Sequence, residues 1–283
     1  MPDVTARLRR SRRLRHPSAA RRIFGLDFSG ATDAGRRAWL AEGRPSPAGL
    51  EILSCQPIAE LPGGAIERTR ALAALRVFIA ATPDGIFGCD FPFSLPRAHI
   101  ETASWTDFIG GFLHADALAF YTHCRRISGG REPKRATDRE SKTPWCAFNI
   151  RLYRQSYHGM AELLRPLVIG REALVLPMQA PARGRPWLIE TCPASALKHL
   201  GWRGSYKGAG FKDARRQILR RLSATQLLAR LPRSLQERVV EDMGGDALDS
   251  IIAALATARV LSDIDAGDNG GDELEGRVYF RLR

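Results

Sequence analysis

The sequence predicts an α/β fold, a mixed sheet flanked by helices and interrupted by a helical insertion. Three observations lead there. The N-terminal part reads strand, strand, strand, helix, strand. Several short apolar runs stop on an acid, at Asp27, Asp90 and Glu190. The C-terminal part is helical in periodicity and closes on the apolar run DALDSIIAALATARVLS.

Residues 22–28 are short and apolar, as a buried strand is. Residues 37–42 and 50–55 read as the next two strands, and GRPSPAG between them supplies Gly and Pro for a hairpin. After Pro62-Gly63-Gly64, the residues Ile66, Leu72, Leu75, Val77, Phe78 and Ile79 recur at near-helical spacing. Residues 85–90 form the fourth strand, stopped by FPFSLP. The insertion covers about 104–170. Residues 105–127 read as one helix with a weak point at Gly110-Gly111, and 148–168 as another. The segment 128–144 between them is polar, charged and long, in keeping with a mobile flap. Residues 173–178 and 186–191 are strands on either side of QAPARGR. Residues 212–222, 224–231, 235–242 and 246–262 read as helices, and RVYFRL as a final strand.

The chain carries a formal net charge of +13, concentrated at its start. Arg7, Arg9, Arg10, Arg12, Arg13, Arg15, Arg21 and Arg22 face only Asp3 there. Residues 1–21 read as a disordered basic tail and 22–283 as the folded domain. A basic body with a basic tail suits a polyanion such as nucleic acid. The five cysteines are an odd set without a CxxC pair, which argues against a disulfide framework or zinc ribbon and for a reducing cytoplasm. No run of about 18 apolar residues is present to span a membrane.

The acids suggest chemistry. Asp27, Asp90 and Glu190 end strands, where sites of α/β sheets collect. Asp246 and Asp249 lie three apart at the start of the last helix, on one face. Each has an ordinary structural use: Asp27 and Asp90 in turns, Glu190 paired to an arginine, Asp246 as an N-cap. Gathered at one sheet edge they repel unless cations neutralise them. Hard divalent ions such as Mg²⁺ or Mn²⁺ prefer such oxygen ligands. Two of them, roughly 3.5–4 Å apart, clamp the attacking and leaving oxygens of a phosphodiester.

The segments GLDFSG, GCDFPFSLP, IETCPAS and GDALDSIIAALATA, in this order, resemble the ribonuclease H-like superfamily. More narrowly, the chain resembles the family of predicted ribonuclease H-like nucleases known as domain of unknown function DUF429. The resemblance implies a five-stranded mixed sheet of order 3-2-1-4-5. It also implies a two-metal carboxylate site on Asp27, Asp90, Glu190 and Asp246 or Asp249, hence a metal-dependent nuclease. The last helix is similar to the closing helix of Holliday-junction resolvases.

Basic residues supply candidate phosphate contacts. Lys212, Arg215 and Arg216 share a helix face, with Lys207 just before them. Arg131, Lys134, Arg135, Arg139 and Lys142 belong to the expected flap, and Trp145, Tyr153 and Tyr157 are candidate base-stacking rings, although the two tyrosines, four apart, also suit packing along a helix. Two other functions remain open at this point. An actin/hexokinase-like ATP-binding phosphotransferase would use DFSGATDAG as its phosphate loop. A non-catalytic nucleic-acid-binding module would keep the acids for structure alone.

Overall fold

The computed structural model describes residues 21–265 and 270–282. In chain order the elements are β1 (Arg22–Asp27), α1 (Ala34–Arg37), β2 (Trp39–Ser46), β3 (Gly49–Pro57), α2 (Arg68–Ala80) and β4 (Gly85–Asp90). The insertion follows with α3 (Trp105–Gly110), α4 (Ala117–Ile127), α5 (Ala136–Ser141), α6 (Tyr153–His158) and α7 (Arg165–Ile169). Then come β5 (Leu174–Leu176), β6 (Trp187–Thr191), α8 (Pro193–His199), α9 (Lys212–Ala224), α10 (Arg233–Glu241), α11 (Asp246–Asp265) and β7 (Val278–Tyr279).

The sheet is mixed and seven-stranded, in the order β3-β2-β1-β4-β6-β5, with β7 also paired to β6. Five strands in the order 3-2-1-4-5 are therefore not what forms. β6 lies beside β4, and the short β5 lies outside it. β5 pairs with residues 187–189 of β6 and β7 with 190–191, so the two short strands share one edge end to end. β1, β2 and β3 form an antiparallel meander, whereas β1, β4, β6 and β5 are parallel.

Alternation along the strands separates two cores. Phe24, Leu26, Phe87, Cys89 and Leu188 point to one face, covered by α2 and the insertion. Phe24 stacks on Phe87 at 4.5 Å, and Phe78 of α2 meets both rings edge-on. Trp105, Phe120, Phe148 and Leu163 of the insertion join this same core. Ile23, Ile86, Trp187 and Ile189 point to the other face, under α8 to α11.

On that second face two positions lack side chains. A Cβ on Gly25 would lie 2.0 Å from the Ser250 carbonyl oxygen and 2.2 Å from the Ala254 nitrogen. One on Gly88 would lie 2.0 Å from Thr257 Oγ1. Helix α11 thus lies directly on the backbones of β1 and β4, an approach only glycine permits.

Several expectations need correction. Arg21 is not part of a tail: it is buried, donates to the carbonyls of Gly85, Arg185 and Ala182, and stacks 3.6 Å from the Trp187 ring centroid. The remaining tail, residues 1–20, lies outside the described residues. The helix read over 105–127 is two, parted at Gly111, with Asp116 capping the second. Ile66 precedes α2, and Val77 faces solvent. Residues 225–231 are not helical, because Leu50 of β3 donates to the Leu227 carbonyl and accepts from Ala229, which covers the sheet edge. Residues 128–144 are a pinned segment rather than a loose flap: they contain α5, and Val278 donates to Thr137 Oγ1 at 2.7 Å. No helix among the described residues is long and apolar enough to cross a membrane.

Gly25→Ala is expected to cost more than about 3 kcal/mol in urea unfolding, because the new methyl meets backbone that cannot rotate away. A loss below about 1 kcal/mol would show that α11 is not seated on β1.

Candidate metal centre

β1 and β4 run parallel, and Asp27 stands opposite Asp90. Both are two residues beyond the bare glycines and so share the face on which α11 lies. Asp249 directly precedes Ser250, the residue whose carbonyl is seated at Gly25. That contact brings the helix start over the strand ends. One carboxylate oxygen from each of Asp27, Asp90 and Asp249 lies within 4.8 Å of the others. Asp27 and Asp249 are buried, and Asp90 is partly so. Asp246, one turn earlier on α11, stands half-buried at the rim. It does not serve as the N-cap; Asp242 accepts from the amides of Gly244 and Ala247 instead.

Acids so placed resist ionising. Burial lifts Asp27 well above the usual carboxylate range, and Asp249, Asp246 and Asp90 add to this against the pull of Lys207. Asp90 is lifted from 3.8 to about 8, by burial first and then by Asp249. Burial moves Asp246 to about 6, with Lys207 opposing. Lys207 Nζ lies 2.6 Å from Asp249 Oδ2 and 3.7 Å from Asp246 Oδ1. Although burial disfavours its charge, the attraction of Asp249 and Asp27 holds this ammonium well above the usual lysine range. Tyr206 donates its hydroxyl to Asp249 Oδ1 at 2.8 Å. The loop carrying Tyr206 and Lys207 is fixed by Arg215, which donates to the carbonyls of Tyr206, Gly208 and Val240.

The donor set fits a hard divalent ion. It consists of carboxylate oxygens. Opposite ligands of an octahedral Mg²⁺ lie about 4.2 Å apart, so a spread of 4.8 Å closes with a small side-chain rotation.

Glu190 does not join this group. Its partner across the strands is Cys89, not Asp90, so alternation turns it to the opposite face of the sheet. There Arg135 donates to both its oxygens at 2.5 and 2.7 Å, and the Phe93 amide adds a third bond. Arg135 also holds Asp138 through Nε and a terminal nitrogen. Burial works against this guanidinium, but Glu190 and Asp138 outweigh it and keep the charge. Glu190 is thus the residue that finds an arginine, and Thr191 takes the place beside Asp90.

The expected phosphate contacts divide similarly. Arg215 is buried and bonded to backbone, so it cannot reach a phosphate. Lys212 pairs with Glu241, and Arg216 with Asp213 at 2.8 Å, both on the surface. Arg139 is exposed and bonded to the Lys134 carbonyl. Lys142 is exposed, and its carbonyl accepts from Lys198 Nζ at 3.3 Å. Of the expected basic residues, Lys207 is the one that touches the acids.

The segment DFSGATDAG is not an open phosphate cradle. Its amides at Ala31, Ala34 and Gly35 donate to Ser29 Oγ and to the carbonyls of Ala31 and Ile66, and the carbonyl of Asp33 accepts from Arg36 just beyond it. Gly30 is pressed against the Arg154 carbonyl. Cys192 lies near Asp90, but burial and then that carboxylate push its thiol up to about 12, so it is no nucleophile at neutral pH. All five cysteines are free.

Four contributors escaped the sequence reading: Gly25 and Gly88, which admit the helix; Arg135, which removes Glu190; and Tyr206, which orients Asp249. Glycine two residues before the acid in both GLDFSG and GCDFPF was the available signal.

No family model, curated protein or solved structure matches the chain.

Two outcomes follow from these electrostatics. With chelator present, the raised values at Asp27, Asp90 and Asp246 mean that the folded state holds protons the unfolded chain releases. This group's contribution therefore destabilises as pH rises from about 4 to about 8. Asp90→Asn is expected to raise the melting temperature at pH 8 by a few degrees and to change it little near pH 4. Arg135→Met should strand two buried carboxylates and cost about 3–5 kcal/mol in chemical unfolding. Near-neutral stability of that variant would show that the pair does not organise the fold.

Proposed function

We propose that the protein is a metal-dependent phosphodiester hydrolase acting on nucleic acid, built on a ribonuclease H-like sheet. The meeting of Asp27, Asp90 and Asp249 within 4.8 Å, from three distant segments, is the observation that carries this reading. Asp27, Asp90 and Asp249 would hold Mg²⁺ or Mn²⁺, with Asp246 half-buried at the rim.

Bound there, a divalent ion supplies positive charge to the phosphate and lowers the pKa of water. The chain's own residues do the rest. Asp27, Asp90 and Asp249 fix where the phosphorus must sit, since they project from rigid strand ends and a packed helix. Asp246, half-buried one turn before Asp249, is placed to accept the proton of the attacking water. The water oxygen bonds to phosphorus, one bridging P–O bond breaks, and the departing oxygen takes up a proton. That proton comes from solvent; Lys207, whose own proton is held by Asp249 and Asp27, is the chain's nearest cation and balances the negative charge. Tyr206 keeps Asp249 oriented throughout.

The test is metal-dependent stability together with cleavage. Mn²⁺ at 100 times its Kd should raise stability by about 2.7 kcal/mol, or roughly 5–10 °C in Tm. Asp27→Asn and Asp249→Asn should remove both this shift and hydrolysis, by at least about 100-fold in kcat. Asp246→Asn should retain the shift and lower kcat. Unchanged cleavage in Asp27→Asn would refute the assignment.

A further inference from the structure

Beside the carboxylates opens a cavity of about 250 Å³, reached past Asp90, Asp249 and Lys207. We propose that it receives a single unpaired nucleobase, so that the phosphate presented to the acids comes from a single-stranded nucleic acid. This rests on the phosphodiester reading above and narrows it to a substrate class.

Three features of the cavity carry the proposal. First, its rim holds Trp145, 37% exposed, with the Arg151 guanidinium 4.9 Å from the ring centroid. An exposed indole backed by a planar cation offers a flat surface of the kind on which bases stack irrespective of sequence. Second, Thr191 lines the cavity, is 2% exposed, and its Oγ1 has no hydrogen-bond partner. A buried hydroxyl without a partner is rare and costly, and it marks the wall of this cavity as polar and unsatisfied. Third, the space suits one ring system with its sugar and not a stacked base pair. A duplex would have to extrude a nucleotide, as enzymes that act on single bases require.

The surface next to the cavity favours a chain of phosphates over a free nucleotide. A second cavity lies alongside, lined by Lys142, Lys198, His199 and Arg203, with Arg281 there paired to Glu140. Lys198 reaches the Lys142 carbonyl, and Thr143 and Pro144, which follow Lys142, form the rim of the first cavity. A strand whose base enters beside Trp145 thus has a basic track for its next phosphates.

Fluorescence anisotropy on the full chain tests this, with and without Mn²⁺. The probes are DNA and RNA strands of one sequence, the DNA strand with every base replaced by an abasic residue, and a DNA duplex closed by hairpins at both ends. At least one ordinary strand is expected to bind 10-fold or more tightly than the abasic strand and the closed duplex. The better of the DNA and RNA arms identifies the sugar. Trp145→Ala should remove most of that preference while leaving abasic binding unchanged, and Arg151→Ala should act in the same direction. Both positions are at the rim, and an unchanged melting temperature checks their folding. Equal binding of ordinary and abasic strands, or a Trp145→Ala loss shared by both, overturns the base pocket. The hydrolase reading fails separately. A base preference that survives while Asp27→Asn alters neither the Mn²⁺ shift nor cleavage leaves the pocket standing without the chemistry.

Discussion

The structure depends on the contact of α11 with the bare backbone of β1 and β4. Helices ordinarily sit on a sheet through a layer of side chains. At Gly25 and Gly88 that layer is absent, and Ser250, Ala254 and Thr257 rest where side chains would be. The approach has two effects at once. It buries the apolar length of α11 between the sheet and α10, and it sets the height and register of the helix start against the strand ends. Asp249 reaches Asp27 and Asp90 for this reason. The carboxylates repel one another, so the stability that keeps them together comes from packing below them, not from their own interaction.

A second organising point lies on the opposite face. Arg135 links the insertion to β6 through Glu190, while Glu275 accepts from the amides of Arg97 and Ala136. Val278 of β7 adds its bond to Thr137. Segments far apart in the chain are tied here around one guanidinium. The insertion is consequently continuous with the main core and forms a wall of the cavity, which gives the long segment between α4 and α6 a fixed position relative to the acids.

Much of this was legible from residue pattern, and the failures share a cause. Strand ends at Asp27 and Asp90 follow from local punctuation, as does the acid pair opening α11. The role of Glu190 does not, because a strand-terminal acid faces one side or the other according to its register with a neighbour far away in the chain, here Cys89. One step of register separates a residue beside Asp90 from one beside Cys89. The basic residues failed for a related reason. Lys212, Arg215 and Arg216 do share a helix, but which of them is buried depends on what packs there, and for Arg215 it is the loop of Tyr206 and the end of α10. Arg135 looked like one more charge in a polar stretch, since burial of an arginine depends on partners that periodicity does not reveal.

Lys207 gives the acidic centre a history. Its ammonium is tethered to the same chain and lies 2.6 Å from Asp249, so the carboxylates never face one another without a counter-charge nearby. The chain can therefore complete its fold before any ion is acquired, and assembly does not wait on supply. Any ion taken up there would have to exchange with an amine already in residence, and a weakly binding cation would lose that contest.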